Sequence, residues 1–289
     1  MTIEILIEHY LNYLRYEKRS SPDTIRVRSS ELGMFRRYLQ ECGLAEVREI
    51  KVHHVRAYIS HLSTQENYRA RSLCNIISGL RAFYDYAVTK HIACTNIARS
   101  IKKPQVEQAE VEHFSWEEVE NLFLQVPRNA KYLRNICILA IFYYCGIRRE
   151  ELRNIRVSDL SEDFSELHIE RGKGDKSRLL PVHPFVQRIL KLYLDSRRDK
   201  NPYLFPGNSG KPLSRSRINK IVKQCGECAG TKKRVSPHIF RHSFATHLHQ
   251  KGVDINRLSQ LLGHANIEKT VIYTHTEDEE LIAAVKKLE

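Results

Sequence analysis

Tyr273, in the stretch "LLGHANIEKTVIYTH", stands nine residues after His264 and close to the C-terminal end of the sequence. Upstream, "SPHIFRHSFATHL" places His238 and Arg241 three residues apart, hence on one face of any helix they share. "CGIRREEL" supplies Arg148 just after a glycine, and "RGKGDKS" puts Lys173 on a turn. Together these types suit phosphoryl transfer to a weak oxygen nucleophile. Attack on a phosphodiester builds charge on the non-bridging oxygens, and planar guanidinium forks chelate such oxygens better than ammonium groups do. A phenol with a pKa near 10 is ionised to about one part in a thousand at neutral pH. Neighbouring cations favour its phenolate, and a histidine can accept its proton. The departing sugar oxygen then needs a proton, which a lysine on a mobile turn can deliver. Nothing in this chemistry calls for a metal or another cofactor, and no acidic triad suited to magnesium is apparent.

Each piece alone is weak. A His-x-x-Arg pair is usually helix surface, Gly-Lys-Gly is usually a hairpin turn, Gly-His usually ends a helix, and a lone tyrosine is usually core. Order and spacing lift the set above its parts.

The elements that must position these residues fall into two groups. Residues 1–101 read as four helices. "IEILIEHYLNYLRY" sets Ile3, Ile7, Tyr10, Leu11 and Leu14 on one face. "SSPDTIRVRSSELGMFRRYLQECG" opens with Ser21 as N-cap and Pro22 at the first helical position, and stops at Gly43. "VHHVRAYISHL" and "RARSLCNIISGLRAFYDYAVTK" supply the other two, giving an all-α bundle whose exposed faces carry Arg26, Arg28, Arg36, Arg37, Arg69 and Arg71. Residues 102–113, "KKPQVEQAEVEH", lack periodicity and read as a linker. Residues 114–289 form the second domain. Ser115 and Glu118 make a capping box, and a long apolar helix, "RNICILAIFYYCG", closes at Gly146. Arg148 is expected on the first turn of the next helix. "SELHIERGKGDKSRLLPVH" reads as a β-hairpin, and the chain is helical again from Ser214, with Ser236 and Pro237 starting one helix. The fold class is therefore mainly α with a small antiparallel β-sheet.

Composition bounds the function. The 289 residues are 42% hydrophobic, enough for a proper core, and their formal net charge of +13 favours a polyanionic partner. Lys and Arg exceed Asp and Glu on both sides of residue 104, which suits two modules gripping one polyanion. No apolar run is long enough to span a membrane, and the N-terminus lacks a signal-peptide cleavage region, so a cytoplasmic, nucleoid-associated protein is expected. The seven cysteines are irregularly spaced and read as reduced thiols, Cys74, Cys137 and Cys145 among them in apolar helical runs. "CGEC" at Cys225–Cys228 lacks two further ligands at zinc spacing and reads as coincidence.

The pattern resembles the tyrosine recombinase (phage-integrase) family, and within it the Xer-like site-specific recombinases, over essentially the full length. "GIRREEL" is similar to the family's first box, with Arg148 on the catalytic arginine and Glu151 on the supporting acidic residue. Lys173 falls on the family's hairpin lysine. "HIFRHSFATHL" gives His238 and Arg241, "LLGH" gives His264, and Tyr273 falls on the nucleophile. The resemblance implies a helical core-binding domain ahead of a catalytic domain. It implies a 3′-phosphotyrosyl intermediate formed without metal or ATP on double-stranded DNA at an inverted-repeat core site. It further implies a homo- or hetero-tetramer on two sites, with an accessory or activating protein in some systems. The amphipathic end, with Leu281, Ile282, Val285 and Leu288 on one face, is expected to dock onto a neighbouring protomer. Chromosome dimer resolution, cointegrate resolution and element integration all fit. A type IB topoisomerase, a catalytically silent DNA-binding regulator and a histidine-rich metal hydrolase are the rival readings.

Overall fold

A computed structural model of the chain describes residues 1–106, 112–170, 177–207 and 210–263. The chain divides into two compact units, Met1–Ala109 and Glu110–Glu289.

The first unit is built from α1 (Ile3–Asn12), α2 (Pro22–Glu41), α3 (Val52–Thr64) and α4 (Ala70–Thr89). The Thr2 hydroxyl caps α1 by accepting from the Ile5 amide. The Ser21 hydroxyl caps α2 by accepting from Thr24, and Pro22 takes the first helical position. Both satisfy amides that a helix start leaves without intrahelical partners. Helix α1 ends sooner than its periodicity suggests, because Tyr13–Glu17 widens into a π-turn that still buries Leu14. Ile3, Ile7, Tyr10 and Leu14 are buried as expected, whereas Leu11 is half-buried at the edge of the core. Leu32, Phe35, Val55, Tyr58, Ile77 and Phe83 complete that core. Gly79 on α4 lets α2 come close: a Cβ there would lie 2.2 Å from Arg28 Nη1.

The second unit contains α5 (Trp116–Leu124), α6 (Tyr132–Tyr144), α7 (Arg149–Asn154), the hairpin β1 (Glu166–Ile169) and β2 (Arg178–Pro181), α8 (Pro184–Ser196), α9 (Arg215–Cys228), α10 (Pro237–Gln250) and α11 (Ile255–Leu262). Ser115 and Glu118 form the anticipated capping box on α5. Every residue of α6 from Asn135 to Tyr143 is buried, so this helix is apolar all round and forms the centre, packed by α8 and α10. The hairpin is antiparallel, with Leu167 opposite Leu180 and Ile169 opposite Arg178. Cys137 and Cys145 are buried and Cys74 is half-buried, all three as free thiols. Cys225 and Cys228 lie on α9, one buried and one exposed, and the described residues hold no metal-binding group of His, Cys, Asp or Glu. No described helix is long and apolar enough to cross a membrane.

Candidate active site

Gly146 turns the chain between α6 and α7. Its φ of +57° suits glycine, and a Cβ there would sit 2.4 Å from a Phe244 ring carbon. The turn delivers Arg148 as the N-cap of α7, with extended backbone, rather than within its first turn. From there the side chain points back across the helix start. Glu151, at the third helical position, closes the capping box by accepting from the Arg148 amide at 2.8 Å.

Glu151 is buried, its side chain only 2% exposed, and it organises the site. Its Oε1 accepts from Arg148 Nη1 at 3.0 Å and from Arg178 Nη1 at 3.1 Å. Its Oε2 also accepts from Arg178 Nη2 at 2.8 Å, so Arg178 grips it bidentately. Burial pushes the Glu151 carboxyl up, but the bonds from Arg178 and Arg148 outweigh it and hold the pKa below the usual carboxylate value.

Arg241, on α10, is buried beside them. It donates to Gly146 O and to Leu262 O, each at 2.6 Å. Burial, then the nearby Arg148, pulls its pKa down. His238, one turn earlier, is kept neutral at pH 7: burial lowers its pKa, and Arg149, Arg241 and Arg148 add to the effect.

The end of α11 completes the arrangement. Leu261 O accepts from Arg178 Nε at 3.1 Å, Leu262 O from Arg241, and Gly263 O from Arg148 Nη2 at 2.9 Å. Three consecutive carbonyls at a helix C-terminus, where the last acceptors lack intrahelical partners and the dipole is negative, are thus claimed by three arginines from three different elements. Gly263 ends the helix in the left-handed conformation, φ +59°.

Of the residues singled out in the sequence, the structure brings Arg148, Glu151, His238 and Arg241 together. Lys173, His264 and Tyr273 lie outside the described residues, as does the terminal segment 280–289. Lys173 belongs to the connection between β1 and β2, and His264 directly follows Gly263. Sequence reasoning missed Arg178. Its signal was strand alternation, which puts Arg178 on the same face as the buried Leu180.

The six arginines singled out in the first unit divide. Arg37, Arg69 and Arg71 are exposed, and Arg26 is exposed beside Asp23. Arg28 and Arg36 depart from the expected free surface. Arg28 is half-buried, pairs with Glu31 and lies over Gly79, while Arg36 pairs with Glu4 across to α1. Helix packing draws both inward.

Beside the arginine cluster lies a groove of about 730 Å³ lined by Arg149, Lys223, Arg234 and His238 among others. Its wall is basic, although Lys223 faces Glu227 at 3.2 Å and Arg149 donates to Asn219. The site therefore combines three buried or half-buried guanidiniums, one carboxylate and a neutral imidazole opening onto a basic surface. Such an excess of buried positive charge is costly unless an anion joins it.

Comparison with known proteins bears on which anion. The phage integrase family model matches residues 112–280, and the phage integrase N-terminal SAM-like domain model matches residues 7–91. A tyrosine recombinase of Pseudothermotoga lettingae is 32% identical over 288 residues, covering 99% of both chains. Tyrosine recombinase XerD of Chlorobaculum tepidum is 33% identical over 291 residues, covering 97% of this chain and 94% of the relative. Among solved structures, a lambda integrase tetramer bound to a Holliday junction superposes with a TM-score of 0.74 at 17% identity, over 94% of this chain and 80% of the other. XerH bound to a palindromic difH substrate, a post-cleavage complex, gives 0.72 at 22% identity, over 92% and 80%. These two likenesses are of fold.

Proposed function

The chain belongs to the phage integrase family and is a tyrosine site-specific recombinase, an enzyme that cuts and rejoins DNA, and we propose that Tyr273 is its nucleophile, served by Arg148, Lys173, His238, Arg241 and His264. The observation that carries the assignment is the buried cluster of Arg148, Arg178 and Arg241 around the single carboxylate of Glu151. A scissile phosphate is an anion that this excess of guanidinium charge suits.

In this reading Arg148 and Arg241 hold the non-bridging oxygens through guanidinium N–H groups not engaged with protein. Each such donor in a desolvated site contributes roughly 3–4 kcal/mol to the transition state. The Tyr273 oxygen attacks phosphorus as its proton passes to a histidine base; His238, neutral at pH 7, fits that role, and His264, which follows Gly263 in the sequence, is the second candidate. The P–O5′ bond breaks, Lys173 protonates the departing 5′ oxygen, and a 3′-phosphotyrosyl bond remains. The 5′-hydroxyl of a partner duplex reverses the step, so the bond energy is conserved. Protons move only between protein side chains and the departing 5′ oxygen, and the reaction is expected to proceed in EDTA and without ATP.

Residues 1–101 serve as the core-binding domain, 102–113 as linker and 114–289 as the catalytic domain, with the exposed Arg37, Arg69 and Arg71 among the first domain's cations for DNA phosphates. Lambda integrase is known as a tetramer on a Holliday junction and XerH in complex with difH. By that likeness four protomers, of one or two kinds, assemble here on two inverted-repeat sites, with residues 280–289 docking onto a neighbour and with an activating protein in attendance where one is needed. Action on chromosomal or element DNA places the protein in the cytoplasm, at the nucleoid.

The test uses DNA recovered from the source genome by binding, presented as a nicked suicide duplex in EDTA. A covalent protein–DNA band on a denaturing gel from the wild type, absent from Tyr273→Phe, is the expected result. A covalent band that persists in Tyr273→Phe would overturn it.

A further inference from the structure

Arg178 is not among the residues given a chemical role above, yet its side chain makes three hydrogen bonds within the site where that of Arg148 makes two. Its guanidinium grips Glu151 with two bonds of 3.1 and 2.8 Å and gives its Nε–H to Leu261 O at 3.1 Å. Its side chain is 12% exposed. It also lies against Gly263, where a Cβ would come within 3.0 Å of Nη1. Nε, Nη1 and Nη2 are all bonded to Glu151 or Leu261, so the whole guanidinium is built into the site.

Three parts of the site meet at this one side chain. Glu151 is shared between Arg178 and Arg148, so Arg178 fixes the carboxylate that fixes Arg148. Leu261 belongs to the helix end whose next two carbonyls hold Arg241 and Arg148. That end leads directly into His264 and, ten residues past Gly263, Tyr273. Arg178 is finally the first residue of β2, opposite Ile169, at the base of the hairpin whose turn carries Lys173.

We infer that Arg178 is a positioning residue for strand cleavage, holding Arg148 through Glu151 and the start of the nucleophile-bearing segment through Leu261 O, without touching the phosphate. The inference rests on the recombinase reading above. A lysine cannot replace it fully, because one ammonium cannot span both Glu151 oxygens and the Leu261 carbonyl in the planar fork that arginine provides. Loosening a reacting group by about 1 Å is enough to slow a step on the order of 10²-fold.

The experiment compares Arg178→Met and Arg178→Lys with wild type and with Lys173→Ala in single-turnover cleavage. Two substrates are used: the ordinary duplex, and one with sulfur at the bridging 5′ position. A thiol leaving group, with a pKa near 8.5, departs without the proton that an alkoxide needs. DNA affinity and unfolding, the latter followed by Trp116 fluorescence, are measured on the same samples. The expected result is cleavage slowed about 10²-fold by Arg178→Met and less by Arg178→Lys, with DNA affinity little changed and the defect equally present on the sulfur substrate. Lys173→Ala should be rescued by sulfur. Rescue of Arg178→Met by sulfur would overturn the inference, since Arg178 would then serve only the hairpin lysine. Parallel loss of binding and cleavage, or no loss of cleavage in either variant, would also overturn it. If Arg178→Met does not fold, Arg178→Lys decides by the same criteria. Absence of adduct from the wild type on both substrates would refute the parent reading, and this inference with it.

Discussion

Replacing Glu151 with glutamine removes one charge from a buried cluster without changing its shape. With Glu151 ionised, Arg148, Arg178 and Arg241 sum to a charge of +2; with glutamine they sum to +3. Each carboxylate oxygen accepts two bonds, Oε1 from Arg148 Nη1 and Arg178 Nη1, Oε2 from the Arg148 amide and Arg178 Nη2. Whichever position the amide nitrogen takes, two donors lose their acceptor. Breaking a buried pair in this way costs about 3–5 kcal/mol. Urea is the denaturant of choice because it does not screen charge, and with a slope of about 2 kcal/mol per molar the unfolding midpoint should fall by roughly 1.5–2.5 M. Trp116 reports the transition cleanly. It is the only tryptophan in the chain and lies in the catalytic unit, stacked on His247 at 4.0 Å between ring centroids. The pH dependence supplies a second check. The Glu151 pKa is depressed in the fold, so its contribution is complete above the unfolded value of about 4.3 and is lost as pH falls through the folded value. Wild type and Glu151→Gln should therefore converge in acid. A midpoint shift under about 0.5 M near neutral pH, equivalent to roughly 1 kcal/mol, would refute the view that Glu151 neutralises the cluster.

Gly146→Ala should destabilise the catalytic unit by about 2–5 kcal/mol, from left-handed backbone and the collision with Phe244, whereas Gly33→Ala, in open space on α2, should stabilise by up to about 1 kcal/mol; thermal unfolding distinguishes them. Because burial and three arginines lower the His238 pKa, the base form persists below the ordinary imidazole value of about 6.5. The acid limb of the cleavage rate at limiting enzyme should accordingly lie below that value, and Arg149→Gln should move it upward; a limb above 6.5 in the wild type would contradict the assignment. Arg37→Ala, Arg69→Ala and Arg71→Ala should each weaken DNA binding without loss of stability and flatten its salt dependence by roughly one counterion per contact, while Arg28→Ala should cost stability through its pair with Glu31; binding isotherms at several salt concentrations, with unfolding curves, test both halves.

The helices of the first unit were legible because caps and apolar periodicity agree: Ser21 and Pro22 start α2, and Ile3, Ile7 and Tyr10 mark the buried face of α1. The π-turn at Tyr13–Glu17 left no such mark, since a widened turn keeps almost the same spacing of apolar residues. In the site, Arg148 and Arg241 were legible from short local motifs. Arg178 was not, because its partners Glu151 and Leu261 are 27 and 83 residues away and only tertiary packing unites them. Arg28 and Arg36 show the converse. Their helical positions read as surface; Glu31 lies on α2 itself, three residues after Arg28, and only the approach of α4 and α1 brings Gly79 and Glu4 against them.

The most direct measurement of the central claim is to locate the DNA on the protein. Covalent complex trapped on a nicked duplex is digested with nuclease and protease, and the modified peptide is sequenced by mass spectrometry. The account predicts a 3′-linked nucleotide on Tyr273 and on no other residue. Attachment at any other side chain, or through a 5′-phosphate, would contradict it.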